Sequence, residues 1–242
     1  MELRGRTALV TGGGKRVGRA IALALGARGA RVAVHYNRSA AGAEETAREI
    51  ARTGGEARTF AADLSDAAAP ESLVRQVAAA FGGLDLLVNS AAVMERTPVG
   101  TVTPAQWDAM FALNLRAPFF AAQAAAAAMG ERGGAIVNIA DLAAFETWPA
   151  YVPHSITKAG VVQMTRALAR VLAPAVRVNA VAPGAVLLPD DWGPEAAERL
   201  ARTTPLKRLG SPDDVASAVC YLAESDYITG ETLMVDGGRH VR

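Results

Sequence analysis

Short apolar runs alternate with longer amphipathic stretches along the whole chain. The runs TALVT (7–11), RVAVHY (31–36), ARTFAA (57–62), LDLLVN (84–89), GAIVNIA (134–140), VRVNAVA (176–182) and TLMVDG (232–237) read as strands. The stretches between them predict helices over 17–28, 40–52, 70–81, 104–129, 153–172, 194–202 and 212–223. Several of these open on a capping residue followed by proline, as in TPAQWD (103–108) and SPDDVA (211–216). Strands that are apolar on both faces belong to a parallel sheet covered by helices. Repeated β–α alternation therefore predicts an α/β fold built on one doubly wound sheet. No linker, charge block or internal repeat divides the chain, so residues 1–242 read as a single domain.

Composition narrows the function classes. Hydrophobic residues make up 51%, enough for a sizeable core, and the formal net charge is +1. No overall field attracts nucleic acid or an acidic membrane, and neither is expected as a partner. Cys220 is the single cysteine, which excludes an internal disulfide and fits a reducing compartment. MELRGRTALVTGG at the start has no apolar signal region, and the alanine-rich run near 121–130 is too short and too weakly apolar to span a bilayer. That run is mainly a good helix former, small enough for close helix packing. A cytoplasmic protein is expected, with no metal site.

Two segments carry candidate chemistry for a dinucleotide. The first strand runs into TGGGKRVGRAIALAL (11–25) and then a helix. Glycines there permit a tight turn and a close approach of backbone to pyrophosphate, and Gly12 and Gly18 have the useful spacing. The second strand ends in HYNRSAA (35–41), with no acidic residue for a ribose 2′-hydroxyl. His35, Arg38 and Ser39 offer donors there, and Lys15 and Arg16 lie in the glycine turn. Donors plus cations suit the 2′-phosphate of NADP(H) better than the bare ribose of NAD. A basic surface loop is the plainer reading.

A third segment, AYVPHSITKAG (150–160), sets Tyr151, His154 and Lys158 at helical spacing, with Pro153 suited to a first turn. The glycine turn, ADL (62–64), LVNSAA (87–92), Asn114, IVNIAD (136–141), Lys158, VRVNAVAPG (176–184) and VDGG (235–238) follow in order. Together they resemble the short-chain dehydrogenase/reductase family over nearly the whole chain. Within it the sequence is most similar to pteridine and dihydromonapterin reductases. Lys15 and Arg16 stand where many relatives have another glycine, and Asp141 where most have serine. HYNRSAA, VLLPDD (186–191) and the ending DGGRHVR support the same likeness.

The resemblance implies a seven-stranded Rossmann-type sheet, a nicotinamide cofactor, a small-molecule substrate and commonly a homotetramer, or a homodimer. It implies reduction of a small carbonyl or pterin-like compound. A 3-oxoacyl-carrier-protein reductase-like enzyme and a catalytically silent NADP-binding protein are the alternatives. By the same likeness Val17, Tyr36 and Asn37 line the phosphate and ribose end, and Asp63 and Leu64 hold the adenine. Asn89, Ser90 and Ala91 lie beside the cofactor, with Pro183, Gly184 and Val186 beyond the sixth strand. Asn114 organises a water chain from Lys158, Lys158 binds the nicotinamide ribose, and residues 186–205 form a substrate lid.

Departures from the family pattern fall on the chemistry. The family's acid is a tyrosine four residues before the lysine, and here that residue is His154. Tyr151 is three residues early and precedes Pro153. Met94 occupies a position where related pteridine reductases stack an aromatic ring, and Ala185, Val186 and Leu187 follow the Pro-Gly turn where a threonine is common. Free imidazole titrates near 6.5 and phenol near 10, so a histidine can give up a proton readily at neutral pH. The charge of Lys158 opposes an imidazolium at His154, and ionised Asp141 favours one. Three readings stand: His154 is the acid, oriented by Asp141; Asp141 or Tyr151 delivers the proton; or catalysis is lost. Phe145, Trp148 and Trp192 line a pocket or simply pack, and the tail with His240 and Arg242 reaches a neighbouring site or frays.

Overall fold

A computed structural model of the chain describes residues 1–188 and 193–241. Seven parallel strands form one sheet in the order β3-β2-β1-β4-β5-β6-β7. They are β1 (Thr7–Val10), β2 (Arg31–Tyr36), β3 (Ala57–Ala61), β4 (Leu86–Asn89), β5 (Gly134–Ile139), β6 (Val176–Pro183) and β7 (Thr232–Val235). The helices are α1 (Arg16–Ala27), α2 (Ala40–Arg52), α3 (Ala69–Phe81), α4 (Pro104–Phe111), α5 (Ala117–Met129), α6 (Val152–Leu172), α7 (Pro194–Thr203) and α8 (Pro212–Glu224). The strand order reverses at β1, which pairs with both β2 and β4. That reversal opens a crevice at the carboxyl ends of the strands, where ligands of such sheets bind.

Two-residue alternation sorts the apolar side chains onto two faces. Val10, Val34, Val88, Val137 and Val181 face one side with Ile21 and Leu25 of α1 and Val215, Val219 and Leu222 of α8. Leu9, Ala33, Leu87, Ile136 and Val178 face the other with Val74 and Val77 of α3 and Ala121, Ala122 and Ala125 of α5. The alanine run thus serves helix packing within the chain, letting α5 lie close on α3. Capping boxes built from Thr103 with Gln106 and Ser211 with Asp214 fix the starts of α4 and α8.

Two departures from expectation have a visible cause. The helix predicted over 104–129 is divided by a π-helical turn at Ala112–Arg116. Pro118 has no N–H, so the ordinary helical donor to the Asn114 carbonyl is missing. A wider turn accommodates that loss and carries Asn114 inward. Strand β7 also ends at Val235, two residues early, because Asp236 turns to accept Gly238 and His240 backbone N–H groups at 2.9 and 2.7 Å. Of the lid expected over 186–205, α7 is present, while Pro189, Asp190, Asp191 and Trp192 lie outside the described residues, as does Arg242.

Candidate active site

The glycine turn leaves β1 under tight control. Thr11 Oγ1 accepts from the Ser90 and Ala91 N–H groups at 2.9 and 3.0 Å, tying the turn to the end of β4. Gly12 has φ +67°, and a Cβ there would press on the Ala91 backbone at 3.1 Å. A Cβ on Gly18 would collide with the Gly12 carbonyl. Arg16 holds φ +52°, a left-handed conformation that costs a non-glycine residue about 1–2 kcal/mol. Lys15 and Arg16 are exposed, and Val17 and Gly18 follow on the first turn of α1. That turn has no side-chain cap and no acidic residue, so its N–H groups are available to an anion.

The end of β2 corrects one expectation. His35 is 2% exposed and offers no donor to a bound phosphate. Its Nδ1 accepts from the Gly12 N–H at 3.0 Å, and its Nε2 lies 3.1 Å from the Ala62 carbonyl. A carbonyl only accepts, so Nε2 carries the proton and the ring is neutral. Burial pushes its pKa down, against the Ala62 hydrogen bond and the charge of Asp63. The outward positions are Asn37, Arg38 and Ser39. Ser39 precedes α2 with its hydroxyl uncommitted to a cap, and Arg38 and Asn37 are exposed. Tyr36 is half-buried at the strand end. Asp63 is exposed beside them, held below its ordinary pKa by hydrogen bonds from the Ser65 side chain and backbone and from Asn37, while Leu64 is buried.

Asn89 is also turned inward. Its amide donates to Asn138 Oδ1 at 2.9 Å and to the Pro118 carbonyl at 3.3 Å, and Asn138 passes the chain on to Thr165. Ser90 and Ala91 remain at the crevice edge. At the far side the Gly184 N–H donates to Val235 O at 2.9 Å, and a Cβ there would press on Asp236 at 2.7 Å. Pro183 is buried and Val186 half-buried above the strand end.

The catalytic candidates converge on the segment after β4. Asn114, on the π turn, accepts from the Val93 N–H at 2.9 Å and donates to the Val93 carbonyl at 2.8 Å. It also reaches Thr157 Oγ1 at 3.3 Å, and Thr157 donates to the His154 carbonyl at 2.7 Å. His154 Nδ1 lies 3.3 Å from the same Val93 carbonyl, so that nitrogen carries a proton. The opposite nitrogen, Nε2, is buried without a hydrogen-bond partner among the described residues and stands 3.6 Å from Asp141 Oδ2. Asp141 is braced through Oδ1, which accepts the Ala143 N–H at 2.8 Å. Lys158 donates to the Ile139 carbonyl at 2.8 Å, and its burial lowers its pKa while the charge of Asp141 opposes the shift. Asn114, Asp141 and His154 therefore form one connected group, and the charge of Asp141 links Lys158 to it.

Tyr151 stands at the N-terminal boundary of α6, its ring 6.2 Å from and edge-on to Trp148. Trp148 donates to Glu146, which also lies 3.8 Å from Arg239, so the tail packs back on the loop after Asp141. Met94 and Phe145 are exposed near the site. Two contributors had no place in the sequence reading. Thr157 shows as a buried threonine one turn beyond His154, a detectable signal; Val93 acts through its backbone, which no side-chain pattern announces.

Residues 14–240 match the family model described as Enoyl-(Acyl carrier protein) reductase. An uncharacterized oxidoreductase of Methylorubrum extorquens is 38% identical, with 98% of each chain covered. The 3-oxoacyl-[acyl-carrier-protein] reductase FabG of Staphylococcus aureus is 35% identical over 98% of each chain. The crystal structure of FolM Alternative dihydrofolate reductase 1 from Brucella canis, complexed with NADP, superposes with a TM-score of 0.94 at 36% identity, covering 100% of this chain and 96% of that one. With the sheet order, the glycine turn and the Asn114–Lys158 group in place, the chain belongs to the short-chain dehydrogenase/reductase family of oxidoreductases.

Proposed function

We propose that the protein reduces a small carbonyl or pterin-like substrate with NADPH, and that the proton comes from the Asp141–His154 pair. The carrying observation is the buried, unpartnered His154 Nε2 facing Asp141 at 3.6 Å. Such a nitrogen is costly to bury unless the site uses it. The side chain of His154 is 2% exposed and that of Asp141 23%, so Asp141 is the member that meets substrate. This favours delivery by Asp141, with His154 behind it as the proton store, over direct donation by the imidazole.

NADP(H) fits the cradle. Its additional phosphate would meet Arg38 and Ser39, with Lys15 and Arg16 at the turn and no acidic residue within HYNRSAA. The NADP complex of the FolM structure supports the same cofactor. When bound, the reduced nicotinamide supplies hydride. Lys158 would bind the ribose hydroxyls, and Asn114 holds the start of α6 against the Val93 segment. The imidazolium passes its Nε2 proton to Asp141 Oδ2, and the carboxylic acid passes it to the substrate oxygen or nitrogen. His154 is left neutral with Nδ1–H still on Val93. The 3.6 Å gap must close by about 0.5 Å for this transfer, as catalytic contacts commonly do on substrate binding.

Asp141 in place of serine, and the FolM likeness, support a pterin-like substrate. The family-model description and the FabG relative support an acyl-carrier thioester instead. Single-turnover oxidation of bound NADPH over pterins, quinones, ketones and a 3-oxoacyl thioester separates these. Turnover that is lost in both Asp141→Asn and His154→Ala supports the pair. Tight NADPH binding with no turnover on any substrate would identify a silent binding protein. Equal affinity for NADH and NADPH would refute the 2′-phosphate pocket.

A homotetramer or homodimer is the proposed assembly. Exposed Trp107, Phe119 and Phe120 on α4 and α5, beside a concavity lined by Phe111, Leu115 and Met164, support burial of this face against a second copy. Light scattering measures the mass directly. Among the described residues no helix is long and apolar enough to cross a membrane. A cytoplasmic placement is proposed from the single cysteine, Cys220, which is free and buried, its thiol pushed up to about 11 by burial.

A further inference from the structure

We infer that His35 is a positioning residue of the cofactor site, whose neutral imidazole clamps the glycine turn on β1 to the adenine end of β3. The inference rests on NADPH being the cofactor. Three contacts define the clamp. The Gly12 N–H donates to His35 Nδ1 at 3.0 Å, the Gly13 N–H donates to the His35 carbonyl at 2.9 Å, and His35 Nε2–H donates to Ala62 O at 3.1 Å. One residue thus holds two successive amides of the turn and, through its far nitrogen, the residue next to Asp63.

The arrangement is specific to one protonation state. An imidazolium, or the Nδ1–H tautomer, would point a proton at the Gly12 N–H, and the turn would lose its side-chain anchor. The ring is 2% exposed, so water cannot replace the lost acceptor without opening the strand end. Burial, which lowers the pKa of His35, keeps the required form populated. Gly12 at φ +67° has no side chain to hold its conformation, and its anchors must come from elsewhere. Thr11 anchors the turn toward β4, and His35 anchors it toward β2 and β3.

Two substitutions divide the clamp into its halves. In His35→Asn, the amide oxygen takes the place of Nδ1 and keeps the Gly12 acceptor while the reach to Ala62 is lost. In His35→Gln, the amide nitrogen takes the place of Nε2 and keeps the Ala62 donor while the Gly12 acceptor is lost. Calorimetric NADPH binding is expected to weaken about tenfold in both His35→Gln and His35→Asn, since a clamp fails at whichever end it is cut. Amide exchange at Gly12 in the cofactor-free protein is expected to accelerate in His35→Gln alone. NADPH affinity within about threefold of wild type in either variant would show that the end it cuts holds nothing and would overturn the inference. If either variant fails to fold, ¹⁵N NMR of the wild-type ring decides. An Nε2–H tautomer with Nδ1 unprotonated sustains the clamp; Nδ1–H or imidazolium at neutral pH refutes it. Failure of NADPH to bind the wild type at all would instead break the underlying cofactor reading, and the Gly12 exchange comparison would still test the clamp.

Discussion

The two ends of the crevice are built on opposite rules. At the cofactor end, buried polar groups of the turn and its neighbours are paired: Thr11 with Ser90 and Ala91, His35 with Gly12 and Ala62. At the substrate end, His154 buries a ring nitrogen that has no hydrogen-bond partner among the described residues. Paired groups contribute to the fold as it stands, whereas unpaired ones weaken it until something binds. Under the proposed function, the difference separates a preformed cradle from a poised reactive centre. Substitutions at the first should cost binding and stability together, and substitutions at the second should cost chemistry while sparing the fold.

The largest effect tests the poised end. On a turnover-competent substrate, Asp141→Asn and His154→Ala should each lower kcat by about 10²- to 10³-fold. The double variant should be little worse than the poorer single one, because a relay fails wherever it is cut. Multiplicative losses in the double would mean that the residues act separately. Thermal unfolding should leave the Asp141→Asn variant close to wild type; a large destabilisation there would erase the contrast between the two ends.

At the preformed end, Gly18→Ala should weaken NADPH binding about a hundredfold and lower the unfolding midpoint. Its Cβ meets the Gly12 carbonyl, which is backbone and has nowhere to move. NADPH affinity within threefold of wild type would show a turn far softer than its packing implies. Arg38→Ala should have a smaller and more selective effect. NADPH affinity should fall about tenfold with NADH affinity unchanged, since in the proposed cradle only the additional phosphate of NADPH would meet the guanidinium. Equal losses for the two cofactors would move Arg38 from a specificity role to a general one.

What was legible in the sequence follows the same division. Strands apolar on both faces and a glycine turn between strand and helix are local signals, and they placed the sheet and the cradle. The Asp141–His154 proximity was also legible, because thirteen residues separate the end of β5 from the first turn of α6 in a familiar pattern. His35 was misread because its partners, the Gly12 N–H and the Ala62 carbonyl, are backbone groups brought together by strand pairing. From sequence alone a histidine in HYNRSAA looks like a surface donor. The π turn was hidden by an unbroken helical pattern over 104–129, with Pro118 its one trace. Val93, which joins Asn114 to His154, uses only main-chain atoms.

The smallest effect bears on whether the cradle really is preformed. The pKa of His35 is lowered in the fold, mainly by burial, with the Ala62 hydrogen bond and the Asp63 charge opposing the shift. The unfolded chain therefore binds a proton below the free imidazole value of about 6.5, while the folded protein resists it. Stability from this residue is complete above that pH and falls as pH drops toward the lower folded value, by at most about 1.4 kcal/mol per pH unit. His35→Asn retains an acceptor for the Gly12 N–H but has no proton to gain. Denaturant titrations between about pH 5 and pH 7.5 should show wild type losing stability faster than His35→Asn on acidification. The gap should be constant above the free imidazole value, where both side chains are neutral in both states, and should shrink below it. A constant gap across the range would mean that the ring titrates in the fold as it does unfolded, and a gap that widens on acidification that the fold holds its second proton. Either result would make the turn as adjustable as the His154 end and remove the distinction between the two halves of the crevice.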